Sequence, residues 1–258
     1  MFAQIQHKGK TYRADLDKPI DISIPLHSGA NQLSAWNVQP VKIEPVRIGD
    51  WVGEVNAGAS VNFRNVIFNP HGNGTHTECL GHISKENYSI NQCLKNFLFI
   101  AELITILPDE QPDGDYVITA AHIKNCMEGK QHPEALIIRT ISNPPSKKEM
   151  QYSGTNPPYL SADAMQNIVS LGIRHLLIDL PSVDKENDGG KVLCHHIFWD
   201  YPANPQTGKT ITELIYVPND VLDGTYLLNL QIASFENDAT PSKPVIYRLL
   251  ESHEHITA

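Results

Sequence analysis

The segment NPHGNGTHTECLGHI, residues 69–83, places three histidines, one glutamate and three glycines in fifteen positions. It follows a β-branched and aromatic run, which predicts a strand that breaks at Pro70. In an extended chain, residues two apart share a face, so His76 and Glu78 are expected to project to the same side. Imidazole and carboxylate together form a mixed nitrogen and oxygen ligand set, which favours zinc or manganese.

His82 lies four positions beyond Glu78. If the chain stays extended, its imidazole is on the same face as His76 and Glu78, close enough to carry a proton to or from a water molecule at a metal. The alternative is that these histidines are hydrogen-bonded structural residues and that Gly72-Asn73-Gly74 forms an ordinary turn.

A second cluster strengthens the metal interpretation. The segment CHHIFW offers His195 and His196, and TITELIYV places Glu213 inside a predicted strand. A carboxylate within a buried strand is costly unless it is paired, hydrogen-bonded or bound to a metal. The alternative for Glu213 is an exposed position on an edge strand.

The chain of 258 residues is long enough to bury a large core, and its 18 prolines and 16 glycines indicate many short elements. Apolar runs at 96–107, 135–141 and 174–180 predict buried strands, and further strands are predicted at 19–26 and in parts of 40–48. Helices are predicted at 119–128 and at 161–172, where Ser161 is the N-cap. With no linker in evidence, we expect one mixed α/β domain over residues 1–258 with a β-rich core and few helices.

Composition narrows the choice of partners. A formal charge of −9 argues against nucleic acid or an anionic membrane as the main partner and favours a small-molecule substrate. The most apolar stretch, residues 97–107, is too short to span a bilayer and contains Glu102, and the first residues lack the apolar core of a secretory signal. Four cysteines without a CxxC pair fit free thiols, so a cytoplasmic protein is expected.

Several segments together resemble the cyclase family of metal-dependent hydrolases, which contains bacterial kynurenine formamidases and isatin hydrolases. The family hallmark is H-x-G-T-H-x-D-x-P-x-H, and residues 72–82 read GNGTHTECLGH in the same register. PIDISIPL, ALIIRT, LSADAMQNIVSLGIRHLLIDLPSVD and DGTYLLNLQI resemble other family segments, so the similarity runs from about residue 19 to 250. The resemblance implies a swivelling β/β/α-like fold.

The resemblance also implies roles for individual residues. His76 and Glu78 would be metal ligands, and His82 would fall on the histidine with a general acid/base role. His195 and Glu213 match the downstream ligands, with His196 as the rival for the histidine position. One or two divalent ions, zinc or manganese, are implied.

Three departures mark this chain as a divergent branch. The position of the first family histidine is Gly72, and the nearest histidine, His71, is five residues before His76 instead of four. An odd offset turns His71 to the other face of a strand unless a bulge at the glycines re-aims it. Glutamate replaces aspartate at 78, and Leu80 stands where the family has proline.

The implied function is hydrolysis, or ring closure in reverse, of a non-peptide amide, formamide or lactam such as N-formylkynurenine. Trp36 is a candidate for stacking on a planar substrate, although such a residue also suits the core, and Ser182 resembles a position that shapes the loop near the site. A homo-oligomer, dimer or tetramer, is implied by the resemblance alone. The alternative function is a non-catalytic small-molecule-binding member that has lost part of its metal site.

Overall fold

The computed structural model describes residues 1–130 and 133–251. Seventeen strands lie within these ranges. In chain order they are β1 (Phe2–His7), β2 (Lys10–Asp15), β3 (Ile20–Asp21), β4 (Lys42–Pro45), β5 (Arg47–Ile48), β6 (Trp51–Val52), β7 (Arg64–Ile67), β8 (His76–Glu78), β9 (Leu98–Ile106), β10 (Asp109–Glu110), β11 (Tyr116–Ile118), β12 (Ala135–Thr140), β13 (Tyr159–Leu160), β14 (His175–Ile178), β15 (Thr210–Glu213), β16 (Gly224–Ile232) and β17 (Ala239–Glu251).

The helices in the described part of the chain are few and short. The α-helices are α1 (Pro70–Asn73), α2 (Ile90–Cys93), α3 (Ala120–Met127), α4 (Ala162–Ser170) and α5 (Leu193–Trp199). Short 3-10 turns occupy Val55–Ala57, Leu80–His82 and Pro145–Glu149. Within the same residues, no helix has the length and apolar character needed to cross a bilayer.

A closed barrel forms the centre of the molecule. Its seven strands follow the order β17-β16-β9-β12-β14-β15-β8, and pairing of β8 with β17 completes the ring. The neighbours β9, β12, β14 and β15 run parallel, whereas β8, β16 and β17 pair antiparallel with the strands beside them. The hairpin of β1 and β2 and the short β3 extend the sheet from β17. This mixed α/β fold with a β-rich core confirms the expected fold class.

Strand β12 shows how the core is divided. Leu136 and Ile138 join a cluster with side chains of α3, α4 and α5, while Ala135 and Ile137 join a second cluster made of the other faces of the barrel strands. Both faces of this strand are therefore buried, which explains why its sequence is an unbroken apolar run without alternation.

The strongest local signals produced the elements they predict. The apolar runs at 96–107, 135–141 and 174–180 are β9, β12 and β14. The helices at 119–128 and 161–172 are α3 and α4, and the hydroxyl of Ser161 accepts a hydrogen bond from Ala164 N. Residue pattern and capping chemistry agree at these positions, so the predictions of these elements are confirmed.

One strand prediction differs from the structure, and one helix was not predicted. Of the strand predicted at 19–26, only Ile20–Asp21 pairs with β17; beyond it, Ile24 N donates instead to the hydroxyl of Thr75. The segment with His195 and His196, for which no element was predicted, is helix α5. Its Cys194, Phe198 and Trp199 pack into the helical side of the core.

The barrel interior should govern stability. Leu228 on β16 is fully buried in the second cluster, whereas Leu222, in the loop before β16, is 60% exposed. We expect Leu228→Ala to lower the free energy of unfolding by about 2–5 kcal/mol, because it removes buried methyl groups and leaves a cavity. Leu222→Ala should change it by less than about 0.5 kcal/mol. Urea unfolding of both variants measures the difference, and equal effects would contradict this account of the core.

Candidate metal centre

The pairing of β8 with β15 brings two predicted ligands face to face. His76 and Glu78 lie on β8, both fully buried, and Glu213 is the last residue of β15, directly opposite His76 in the ladder. His76 Nε2 lies 3.5 Å from Glu213 Oε2. Glu213 is therefore buried in the cluster, and the alternative of an exposed edge position is wrong.

His71 enters the same cluster by a route that differs from the expected one. It lies in the single helical turn α1, where the side chain of Asn69 accepts hydrogen bonds from the amides of His71 and Gly72. His71 Nδ1 lies 3.2 Å from Glu78 Oε2. The chain is thus not extended between residues 71 and 76, and a helical turn, rather than a strand bulge, aims the imidazole.

Close packing explains why the chain has glycine at 72. A Cβ atom at Gly72 would lie 2.6 Å from Val38 Cγ2 and 2.8 Å from the carbonyl oxygen of Ala35. Ala35 N also donates to the carbonyl of Gly72, so the two segments are held together at this point. No side chain fits there without displacing backbone, and the imidazole is supplied from the preceding position.

His82 is also near Glu78, again by a different backbone path. It ends the 3-10 turn Leu80–His82 instead of continuing an extended strand. Its Nε2 lies 3.8 Å from Glu78 Oε2, and its ring centroid is 4.4 Å from that of His71. The side chain is about one-third exposed, so this imidazole borders both the cluster and solvent.

Helix α5 supplies His195 and turns His196 away. His195 Nε2 lies 3.0 Å from Glu78 Oε1 and 3.8 Å from Glu213 Oε1. His196 Nδ1 instead faces the carbonyl oxygen of Tyr201, and the two rings are stacked. Of the two candidate histidines, the structure brings only His195 to the cluster.

Asp184, in the loop between β14 and α5, holds α5 and His195 together. Asp184 accepts hydrogen bonds from the amides of Cys194 and His195 at the start of the helix. Its Oδ2 also lies 2.6 Å from His195 Nδ1. With the proton on Nδ1, Nε2 of His195 is directed at Glu78 and Glu213, as in metal sites where a carboxylate orients a histidine ligand.

Asp238 is a further site residue that sequence analysis missed. Located just before β17, it places Oδ2 2.9 Å from His71 Nε2 and 3.4 Å from His82 Nδ1. It was missed because no motif contains it and it lies 167 positions from His71 in the chain. Its closeness follows from the pairing of β17 with β8, where Ala239 is opposite Glu78.

The remaining free atoms of the cluster suit a cation. His76 donates from Nδ1 to the carbonyl of Gly74, 3.0 Å away, and its Nε2 has no hydrogen-bond partner although it is buried. Glu78 Oε2 is likewise buried without a hydrogen-bonding partner. Buried polar atoms are rarely left unpaired. An imidazole nitrogen and a carboxylate oxygen in this position are ligand atoms that a divalent ion would use. The residues present therefore fit a metal.

Several ligand atoms are close enough to share an ion. Within residues 1–130 and 133–251, three groups of side chains have potential ligand atoms that all lie within 4.8 Å of one another. They are His71 with His76 and Glu78, His71 with His82 and Asp238, and Glu78 with His82 and His195. His71, Glu78 and His82 each occur in two of these groups, so these three residues link the groups to one another.

The electrostatics of the cluster are those of carboxylates compensated by positive charge. Burial would raise the pKa of Glu78, but His82, His195 and His71 hold it well below its ordinary value. Burial would lower the pKa of His71, but the hydrogen bond to Asp238 and the negative charge of Glu78 raise it to about 10. Without a metal, protons on His71 and His195, whose pKa values are raised, balance the buried carboxylates, and a divalent cation would replace those protons.

A pocket opens onto this cluster. Its volume is about 320 Å³, and it is lined by Trp36, Val38, His71, His82, Ser182 and Lys185, among others. Trp36 thus borders the pocket, while Ser182 is buried and its hydroxyl accepts a hydrogen bond from Asp184 N. The volume is at the lower end of the range for small-molecule sites.

Some residues beside the pocket and the cluster have a left-handed backbone conformation. Three non-glycine residues that border the site have left-handed φ values, namely 59° at Trp36, 38° at Val192 and 55° at Leu214. Such a conformation costs about 1–3 kcal/mol per residue and tends to occur at functional sites. Val192 precedes α5, and Leu214 follows Glu213, so both lie next to candidate ligands.

Comparison with known proteins agrees with this geometry. A family model named Cyclase, described as "Putative cyclase", matches residues 20–185. No curated protein sequence matches the chain significantly.

Among solved structures, an isatin hydrolase bound to the product analogue thioisatinate aligns over 91% of this chain and 93% of its own, with a TM-score of 0.64 and 16% identity. Isatin hydrolase A from Labrenzia aggregata, bound to benzyl benzoate, covers 89% of this chain and 93% of its own (TM-score 0.64, 14% identity). A protein described as a predicted metal-dependent hydrolase from Bacillus stearothermophilus covers 89% and 98% (TM-score 0.63, 16% identity). At these identities the likeness establishes the shared fold.

The contacts of Asp238 predict its effect on metal binding. Asp238→Asn should weaken zinc or manganese affinity by roughly 10–100-fold, because the amide no longer orients His71 as a carboxylate does. Glu236→Gln is the matched control, since Glu236 is two residues away and its carboxylate accepts hydrogen bonds from the side chains of Asn91 and Gln92, outside the cluster. Competition titration with a chromogenic chelator measures both affinities. An unchanged affinity in Asp238→Asn would remove this residue from the site.

Proposed function

Because this chain belongs to the Cyclase family, we propose that it is a metal-dependent hydrolase. Its substrate class is a non-peptide amide, formamide or lactam, such as N-formylkynurenine. The same site would close a ring when the reaction runs in reverse on a suitable acid.

One observation carries the proposal. Five side chains from four separate segments converge, and two of their buried polar atoms have no hydrogen-bond partner. His71 comes from α1, His76 and Glu78 from β8, His195 from α5 and Glu213 from β15. Their polar atoms lie 3.0–3.8 Å apart across the cluster. A purely structural cluster would have satisfied His76 Nε2 and Glu78 Oε2.

The proposed ligands are His71, His76, Glu78, His195 and Glu213, holding zinc or manganese as one or two ions. A divalent ion in such a site polarises a carbonyl group and makes water a better nucleophile at neutral pH. The mixed nitrogen and oxygen donors support either metal. The overlapping ligand groups that share Glu78 support a bridging role for that carboxylate if two ions bind.

His82 is proposed as the general acid/base. Its Nδ1 faces Asp238, so a proton held there leaves Nε2 directed at the cluster and the pocket. Nε2 would accept a proton from the attacking water and return it to the leaving nitrogen or oxygen. Partial exposure lets the imidazole exchange its proton with solvent after each turnover.

The pocket supports a small planar substrate. Trp36 presents its indole at the pocket wall, where an aromatic ring of the substrate would stack against it. Ser182 is buried beneath the wall and holds the loop that carries Asp184, so its proposed role is to shape the pocket.

The non-catalytic alternative arose from the displaced histidine at position 71. No structural observation favours it, since the imidazole of His71 lies 3.2 Å from Glu78 in the cluster. A protein that binds a small molecule without a metal would contain no zinc or manganese and would hydrolyse none of these substrates.

The adjacent histidines 195 and 196 allow a direct test of the metal centre. Protein purified without a metal-affinity tag should contain about one equivalent or more of zinc or manganese by mass spectrometry. His195→Ala should lose most of that metal, and with it hydrolysis of N-formylkynurenine and isatin, because a ligand is removed. His196→Ala should retain both, since this imidazole faces Tyr201.

Two results would contradict the proposal. One is wild-type protein that neither contains metal nor shows a higher melting temperature when zinc or manganese is added. The other is metal-loaded protein that hydrolyses no formamide, amide or lactam, in which case the binding-protein function would replace it.

The role of His82 makes a separate prediction. His82→Ala should lower kcat by roughly 10²–10⁴-fold, because general acid/base catalysis contributes about that much. Metal content should remain close to that of the wild type, since all five proposed ligands are intact. Steady-state kinetics together with metal analysis measure the two effects. Full activity in this variant would assign the proton transfer to another group.

A further inference from the structure

Two of the four cysteines lie side by side, and one of them is the neighbour of Glu78 in the chain. Cys79 directly follows β8 and is fully buried, whereas Cys93 is the last residue of α2 and is half-buried. Both side chains pack into the second core cluster, and their thiols are hydrogen-bonded to each other. They form a thiol pair that the proposed metal centre does not use.

Backbone contacts hold the two thiols next to each other. Cys79 Sγ lies 3.5 Å from the carbonyl oxygen of Tyr88, just before α2. Cys93 N donates to the carbonyl of Ser89, so Cys93 lies one helical turn beyond Ser89 and on the same side of the helix. A Cβ atom at Gly81 would collide with the carbonyl of Tyr88, so this glycine allows the two segments to approach closely.

The contact makes the two thiols chemically unequal. The hydrogen bond with Cys79 lowers the pKa of the Cys93 thiol, and the charge of Lys95 adds to that effect. The same hydrogen bond, together with burial, raises the pKa of the Cys79 thiol. Oxidants react with accessible thiolates, so Cys93 is the thiol that reacts first and Cys79 is placed to react with the product.

The other two cysteines lie apart from this pair, on the helical side of the core. Cys194 is buried in α5, and its thiol donates to the carbonyl of Leu160, 3.2 Å away. Cys126, in α3, is half-buried like Cys93, but burial raises its pKa. Cys126 is therefore a matched control, because it is a thiol of similar exposure outside the pair.

We propose that Cys79 and Cys93 form a reversible disulfide when the protein is exposed to hydrogen peroxide. The sulfur of Cys93 attacks one peroxide oxygen, so that an S–O bond forms, the O–O bond breaks and one water leaves. The sulfur of Cys79 then attacks the sulfenic sulfur of Cys93. The S–S bond forms, the S–O bond breaks, and the hydroxyl leaves as a second water with the proton of Cys79. Two thiols are thereby oxidised, and the peroxide is reduced to water.

The disulfide ties α2 to the end of β8, beside the metal centre. Cys79 N donates to the carbonyl of Asp238, and Ile90 N, in α2, donates to the carbonyl of Asn237. A shift of the backbone at Cys79 therefore reaches both Glu78 and Asp238. Metal sites hold their ligand distances to within about 0.2 Å, so drawing the two sulfur atoms into a covalent bond weakens metal binding.

Formation of the disulfide does not depend on the proposed hydrolase activity, whereas its effect on the metal rests on the metal centre of that proposed function. The two are therefore measured separately.

Thiol counting and peptide mass spectrometry test the disulfide. Reduced protein is treated with a small excess of hydrogen peroxide and then with N-ethylmaleimide. It should lose two of its four thiols and give a cross-linked pair of peptides that contain Cys79 and Cys93, and dithiothreitol should restore both thiols. Cys126→Ser should form the same cross-link, and Cys93→Ser should form none. In Cys79→Ser, oxidation of Cys93 should stop at the sulfenic acid, which dimedone labels.

Two results would overturn the thiol pair. One is treated wild-type protein that keeps all four thiols or cross-links other cysteines. The other is Cys93→Ser protein that loses thiols as the wild type does. Melting temperature shows whether each variant is folded, and the half-buried position of Cys93 keeps the test valid if the buried Cys79→Ser substitution unfolds the chain.

Competition titration with a chromogenic chelator tests the effect on the metal centre. Oxidised wild-type protein should bind zinc roughly 10–100-fold more weakly than reduced protein, and peroxide-treated Cys93→Ser should bind it as reduced protein does. Equal affinities of the oxidised and reduced wild type would overturn this effect. Reduced protein that binds no zinc would overturn both the effect and the proposed function, but a cross-link found in that protein would still support the thiol pair.

Discussion

Closure of the barrel by β8 is the constraint on which the rest of the structure depends. This strand of three residues pairs with β15 on one side and β17 on the other, and all its side chains are buried. Two of the three are His76 and Glu78. The hydrogen bonds that complete the barrel therefore also set the separation of the ligands from Glu213 and Asp238, and a site built on strands in this way is rigid.

The barrel and the loop after β14 also have to hold buried carboxylates. Glu78 and Asp184 are buried, and burying a charged carboxylate is costly unless opposite charge and hydrogen bonds compensate. Three imidazoles lower the pKa of Glu78, and His195 together with two backbone amides lowers the pKa of Asp184. A divalent cation would replace the protons on the imidazoles and supply the same positive charge. The side chains that stabilise the metal-free fold are therefore also the ones that would bind a metal.

The site shows how a changed motif spacing can preserve the position of an imidazole. A close approach to Val38 and Ala35 excludes a side chain at position 72, and the helical turn α1 brings His71 to the cluster from one position earlier. Leu80, at the position of the family proline, is fully buried in the helical side of the core. The cluster requires an imidazole nitrogen close to Glu78, and His71 on a helical turn places one there. Different backbone conformations can therefore meet the same requirement.

The sequence by itself determined the regular elements with strong local signals and the chemical type of the site. Buried strands such as β9 and β12 follow from unbroken apolar runs, and α4 follows from its spacing and from Ser161. His76, Glu78, His82, His195 and Glu213 stand out because imidazole and carboxylate side chains recur at short intervals or inside apolar strands.

Only the tertiary structure decided how these groups meet. It distinguished His195 from His196, because the direction of a side chain on α5 depends on how that helix packs. It brought Asp238 to His71, because β17 pairs with β8, a contact between segments 167 positions apart that no local pattern encodes. Local sequence sets the conformations of short segments, whereas the pairing of distant strands sets the distances between their side chains, and the chemistry depends on those distances.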